Sequence, residues 1–214
     1  LVGSEMCIRD SSVGAFWFPN LICKPFSKED IHYLVEKVGY SASLAVNAGA
    51  DCVELHAYGG YLLDQFHSVQ WNNRTDEYGG DIHGRLRLTL EVIEEVRKQC
   101  GRDFIIDVRI SGDEYSDGGL TLNDMIYVSK QLEKATVDFI HVSGGNTIKK
   151  GSSMPASGTA PAPHKHASEE IKKHVSIPVA TVSRINEPWV ADELIANGVC
   201  DACMIGRPNL CDSE

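Results

Sequence analysis

From Ser27 onward the chain alternates between two hydrophobic periods. Apolar residues at Ile31, Leu34, Val35, Val38, Leu44, Ala45 and Ala48 recur about three and four apart, the spacing of an amphipathic helix. Ser27-Lys28-Glu29-Asp30 supplies a capping box, in which serine and acid satisfy each other's free amides, and Gly49 supplies the stop. A short apolar run then predicts a strand over Asp51–His56. After a polar stretch, Leu86, Leu88, Leu90, Val92, Ile93 and Val96 predict a helix from about Arg85 to Cys100, closed by Gly101. The same unit recurs as strand Phe104–Ser111, helix Thr121–Ala135, strand Val137–Ser143, helix His166–His174, strand Pro178–Ser183, helix Glu187–Asn197 and strand Ala202–Gly206. Runs such as FIIDVRI and DFIHV are nearly continuously apolar, as expected of parallel strands covered on both faces.

Period two also sorts the strand residues. Asp107, Arg109 and Ser111 share one face and Ile106, Val108 and Ile110 the other; Glu54 and His56 oppose Val53 and Leu55; His141 and Ser143 oppose Ile140 and Val142. One face is ionisable, the other aliphatic. A doubly wound sheet packs apolar helices on both faces, whereas a barrel turns one face inward, where polar groups pair below the site. The pattern predicts an α/β fold, a partial TIM (β/α)8 barrel covering about strands 4 to 8. A whole barrel takes about 250 residues, so the missing units are expected ahead of Ser27. Residues 1–12 lack any hydrophobic period and read as a non-native, adaptor-like segment, leaving 13–214 as one partial barrel domain.

Composition narrows the classes. At 214 residues, 43% apolar, the chain can bury a sizeable core, and its formal charge of −10 argues against a nucleic-acid partner. No apolar run approaches the roughly 20 residues of a membrane helix, so no membrane partner is expected and the location is read as cytoplasmic, with an oligomer possible. Seven scattered cysteines are expected to be reduced. Cys200 and Cys203 read as bracketing the last strand with side chains on opposite faces, so no shared disulfide or metal is expected, and no metal site is assigned elsewhere.

In a barrel, chemistry collects at the carboxyl ends of strands. That is where His56, Arg109, Gly144 with Gly145, Ser183 with Arg184, and Gly206 with Arg207 fall. The last two pairs end the final two strands, where glycine lets backbone amides approach and arginine can fork onto oxygens, so a phosphorylated ligand is expected. Arg109 could equally pair with Glu54 or Asp107. Arg74 and Asp76 are expected to lock the polar loop, Lys149 and Lys150 to edge a solvated one. His164 and His166, in PASGTAPAPHKH, have no acidic or thiolate partners nearby and are expected in solvent. A lyase or aldolase barrel would want a Schiff-base lysine at a strand end, and none is there.

HAYGGYLLDQF, NNRTDEYGG, DVRIS, VSGG, IPVATVSRINEP and MIGRP stand in one order and spacing. From Ser27 on, the chain thereby resembles the old yellow enzyme family of FMN-dependent ene-reductases, with the enoate reductase and 2,4-dienoyl-CoA reductase branch most similar through SIPVATVSRIN. The resemblance implies a barrel carrying FMN, with NAD(P)H as electron donor and an unsaturated carbonyl compound as substrate. It implies that His56 hydrogen-bonds the carbonyl oxygen, that Tyr61 protonates the α-carbon, and that Arg109 lies beside the pyrimidine end of the flavin. Arg184, Gly206 and Arg207 match the phosphate grip, and Ser183, Gly144 and Gly145 are assigned to the cofactor with them. One position departs: many members carry a second donor three residues after the histidine, where this chain has Gly59, with Tyr58 as a partial substitute. The other reading is a non-catalytic fragment that keeps only the phosphate corner.

Overall fold

Ser27 and Asp30 close the first turn reciprocally, with Asp30 N donating to Ser27 Oγ at 3.1 Å and Ser27 N to Asp30 Oδ2 at 2.9 Å. They open α1 (Lys28–Asn47). The structure, a computed structural model, describes residues 25–146, 152–156 and 158–211, so the readings of residues 1–12 and of Lys149 and Lys150 lie outside it. After α1 come β1 (Cys52–Ala57), α2 (Leu62–His67), α3 (Ile82–Cys100), β2 (Ile105–Ser111), α4 (Leu122–Lys134) and β3 (Phe139–Ser143). They are followed by α5 (Lys165–Lys172), β4 (Val179–Val182), α6 (Pro188–Ala196), β5 (Ala202–Met204) and α7 (Arg207–Cys211).

All pairings are parallel and the strand order is β1-β2-β3-β4-β5. A doubly wound sheet reverses its order at a switch point; a strictly sequential order is the arc of a barrel. Register makes the faces explicit. Glu54 pairs Asp107, His56 pairs Arg109, Arg109 pairs His141 and His141 pairs Ala180, so the ionisable residues form two rows on one face. The opposite face is the core. Ile106, Val108 and Ile110 join Leu86, Leu88, Ile93, Val96, Met125, Val128 and Leu132 with no exposure. Burying each such side chain contributes about 1.5–3 kcal/mol.

The polar loop between α2 and α3 is built as expected from Arg74 and Asp76. Arg74 Nε and Nη2 fork onto Asp76 at 3.0 and 2.6 Å, while Nη1 donates to the Phe26 carbonyl at 2.8 Å. Asn72 Nδ2 donates to the Phe66 and Tyr78 carbonyls, each at 2.7 Å.

Three elements differ from the sequence reading. The stretch after β1 contains α2, too short to display a helical period. Helix α3 starts at Ile82, because Asp81 caps it by accepting from Gly84 N at 2.9 Å. Helix α7 begins at Arg207 itself, with Pro208 tolerated in a first turn whose amides have no partner in the helix.

Two side-chain placements are also corrected. Cys200 lies ahead of β5 rather than in it, so strand alternation does not separate it from Cys203; both turn toward Ile185 and Leu194, with the sulfurs 3.8 Å apart and both thiols free. His166 is exposed, but His164 is buried at 3% exposure, its ring stacked on Tyr115 with centroids 5.6 Å apart.

Candidate active site

His56 sits near the carboxyl end of β1 and Arg109 opposite it in register on β2. The turn after β1 brings two tyrosines to them. Gly59 and Gly60 both take positive φ, 74° and 82°, a conformation that costs glycine little and other residues more. Gly59 N donates to Ser111 Oγ at 3.3 Å, Gly60 N to Asp64 Oδ2 at 2.7 Å, and Gln65 Nε2 to the Gly60 carbonyl at 2.6 Å. So held, the turn delivers Tyr61 to the N-cap position of α2, with its ring edge-on to His56 at a centroid distance of 5.0 Å.

Tyr58 lies 5.8 Å from His56, and the Arg109 guanidinium lies over its ring, 4.5 Å from the centroid. Of the two phenols, Tyr58 donates its proton to the Ser153 carbonyl at 2.8 Å, which removes it as the substitute donor for position 59. The Tyr61 hydroxyl has no hydrogen-bond partner among the described residues. Nor does the buried Nε of Arg109, which forms no ion pair with Glu54 or Asp107 there. His56 remains open along the edge of β1, yet packing around its ring, then the Arg109 cation, lowers its pKa and favours the neutral imidazole at pH 7.

Below this row lies that of Glu54 and Asp107, and His141, in register with Arg109, reaches down to it. His141, 4% exposed, bonds Glu54 Oε2 through Nδ1 at 2.8 Å, and Asp107 completes a trio whose ligand atoms lie within 4.8 Å of one another. The His141 hydrogen bond lowers Glu54, whereas burial, then the Glu54 charge, pushes Asp107 up to about 8. At neutral pH a proton on Asp107 and the nearby Arg109 cation balance the two carboxyl groups. The sign of the pH effect follows. Asp107 holds a proton that the unfolded chain loses above about pH 4, so its contribution to stability is present below that and declines as pH rises toward 8. Asp107→Asn is expected to flatten that decline, measured as melting temperature from pH 5 to 8.

The remaining candidates follow the next three strands. Gly144 and Gly145 follow β3, and both are tightly packed: a Cβ at Gly144 would lie 2.4 Å from His164 Nδ1, and one at Gly145 2.2 Å from the Ser152 carbonyl carbon. Gly145 N donates to the Asp113 carbonyl at 2.7 Å, and its own carbonyl accepts from Ser111 Oγ at 3.0 Å. Ser183 and Arg184 follow β4 at φ 91° and 53°, a strained pair for non-glycine residues, with Arg184 Nε donating to the Thr159 carbonyl at 2.7 Å. Gly206 and Arg207 follow β5; a Cβ at Gly206 would meet nothing within 4 Å, so its backbone is open to approach.

The structure thus brings His56, Tyr61 and Arg109 together. No hydrogen bond, ion pair or ring contact joins Arg184 or Arg207 to them among the described residues; they share only the same end of the sheet. Period-two reasoning had put Glu54, Asp107 and His141 on one face without indicating that they touch. The role of Tyr58 as a ring platform for Arg109 carried no signal beyond its adjacency to the glycine pair.

Comparison with known proteins bears on this arrangement. The sequence model of the NADH:flavin oxidoreductase / NADH oxidase family matches residues 14–214. An NADH oxidase of Thermoanaerobacter brockii is 38% identical over 185 residues, covering 86% of this chain and 28% of that protein. A cinnamate reductase of Clostridium sporogenes is 32% identical over 98% of this chain and 34% of its own length. A solved complex of 2-naphthoyl-CoA reductase with 2-naphthoyl-CoA superposes with a TM-score of 0.89 at 26% identity, over 97% of this chain and 31% of that one. The chain therefore spans about a third of the length of these proteins. A sequential arc of parallel strands, with its candidate residues at one end and a match along nearly its whole length, places this chain in the NADH:flavin oxidoreductase / NADH oxidase family.

Proposed function

We propose that this chain carries the catalytic face of an FMN-dependent ene-reductase, which takes electrons from NAD(P)H and reduces a carbon–carbon double bond activated by a carbonyl group. The observation that carries the reading is the cluster of His56, Tyr61 and Arg109 at one end of the sheet, with an uncommitted phenol 5.0 Å, ring to ring, from a lowered histidine. The site's chemistry fits FMN. A buried arginine nitrogen without a partner among the described residues, an open glycine backbone and two arginines at strand ends form a donor set suited to a pyrimidine edge and a phosphate.

When bound, FMN supplies the hydride for the β-carbon of the substrate. The residues do the rest. His56 donates an N–H to the substrate carbonyl, whose oxygen gains negative charge as hydride arrives, and a donor already in place there stabilises that charge. Tyr61 passes its hydroxyl proton to the α-carbon, a role a phenol fills because the enolate is strongly basic. Arg109, steadied on the Tyr58 ring, would place its positive charge beside the pyrimidine end of a bound flavin. Ser183, Arg184, Gly206 and Arg207 would grip the phosphate, and Gly144 and Gly145 would serve the cofactor by letting the turn after β3 pack closely against His164 and Ser152.

Purified protein with FMN in excess is expected to retain the flavin absorbance and to bleach on addition of NADH. Protein that binds no FMN would leave only the fragment reading. Arg207→Ala is expected to raise the FMN dissociation constant by on the order of tenfold, the worth of one charge-assisted contact, as measured by fluorescence titration. Chemistry in the loaded protein should change little.

A further inference from the structure

The chemistry proposed above makes no use of Cys200 and Cys203. Cys200 stands ahead of β5 with no exposure, and Cys203, in the middle of β5, is half-buried. Both turn into a small apolar cluster with Ile185 and with Leu194 of α6, and Cys203 pairs in register with Thr181 on β4. There the two sulfurs lie 3.8 Å apart, both as free thiols. A disulfide needs them closer by about 1.8 Å, a shift that side-chain rotation can supply. Among the described residues no other cysteine sulfur contacts a second one.

The two thiols are not equivalent. Burial raises both. The neighbouring Cys203 sulfur adds to this at Cys200, which reaches about 12, whereas the hydrogen bond from Cys200 acts the other way on Cys203. Cys200 is therefore the donor between them. Cys203 makes only a long contact of its own, 4.0 Å to the Ala191 carbonyl, which does little to hold its proton. Solvent reaches Cys203, and it is the first of the pair to ionise.

We infer that Cys200 and Cys203 form a thiol–disulfide exchange site that takes a small-molecule disulfide, with Cys203 as the attacking thiol and Cys200 as the resolving one. Cys203, as thiolate, attacks one sulfur of the disulfide; the sulfur–sulfur bond breaks and the other half leaves as a thiolate. Cys200 then gives up its proton and attacks Cys203 Sγ, which closes the internal disulfide and expels the second half. The small disulfide is thus reduced to two thiols, which carry off both cysteine protons, and the cysteine pair is oxidised. Burial of Cys200 does not impede its step, because its target is the neighbouring sulfur. The inference involves no flavin and stands apart from the proposed function.

The experiment uses reduced protein carrying Cys211→Ser, treated with oxidised glutathione, blocked at its remaining thiols and cleaved ahead of aspartates. Cleavage at Asp201 separates the two cysteines, so peptides 192–200 and 201–211 remain joined only through the internal disulfide. Joined peptides that part on reduction are expected, with glutathione retained on the exposed Cys52. Glutathione left on Cys203 without joined peptides, or an unmodified Cys203 where Cys52 has reacted, would overturn the inference without any change to the pair itself. Cys200→Ser should raise the mixed disulfide at Cys203 by on the order of tenfold or more, because the resolving sulfur is gone. Cys203→Ser should leave Cys200 unmodified; glutathione on Cys200 there would refute the assigned order of attack.

Discussion

Tyr61→Phe is expected to slow reduction of an enone by roughly 100-fold or more, the usual worth of a positioned general acid, while flavin reduction by NADH proceeds at its original rate. The substitution removes one oxygen and keeps the ring that packs edge-on against His56, so the cluster should not rearrange. Tyr58 cannot take over, since its proton already lies on the Ser153 carbonyl. The partition between half-reactions is the decisive reading. A proton donor acts only where carbon is protonated, so stopped-flow traces with both half-reactions slowed together would assign Tyr61 to cofactor placement instead.

Gly79→Ala is the substitution expected to damage the fold most. A Cβ there would lie 2.0 Å from the Arg74 carbonyl oxygen and 2.5 Å from its carbon, both backbone atoms, so no side-chain rotation can relieve the clash. Arg74 is in turn fixed by its fork on Asp76 and its bond to Phe26, and Gly80 N donates to the same Arg74 carbonyl at 3.2 Å. The loop must open or the start of α3 must shift, at a cost of about 3 kcal/mol or more. Gly80→Ala, where a Cβ meets nothing but φ is 74°, should cost only about 1 kcal/mol. Equal losses of denaturation midpoint for the two variants would contradict this account.

The arc of parallel strands and its polar inner face were legible because strand alternation is a two-residue rule that burial enforces. Glu54, Asp107, Arg109 and His141 had to share a side once the aliphatic residues between them faced the helices. What the sequence hid was short or tertiary. Helix α2 has six residues and buries Asp64 and His67 alongside Phe66, so no polar face announces it. His164 stands in a proline- and glycine-rich stretch that reads as solvated, yet the chain folds it back against Gly144, a contact fixed by distant residues. Cys200 was misplaced by extending strand alternation to a residue two positions ahead of the strand. Arg109 was read with both a structural and a cofactor role open. The structure leaves its Nε without a partner among the described residues, and it adds a ring beneath the guanidinium that no spacing rule supplies.

The sequential strand order has a consequence for how the chain can assemble. Each strand pairs with the next one along, so forming the sheet never requires a segment to find a partner beyond the adjoining strand–helix unit. Loop-closure entropy is then charged in modest, repeated steps, and each completed pair presents the edge on which its successor docks. Growth outward from a central pair therefore meets no single dominant topological barrier.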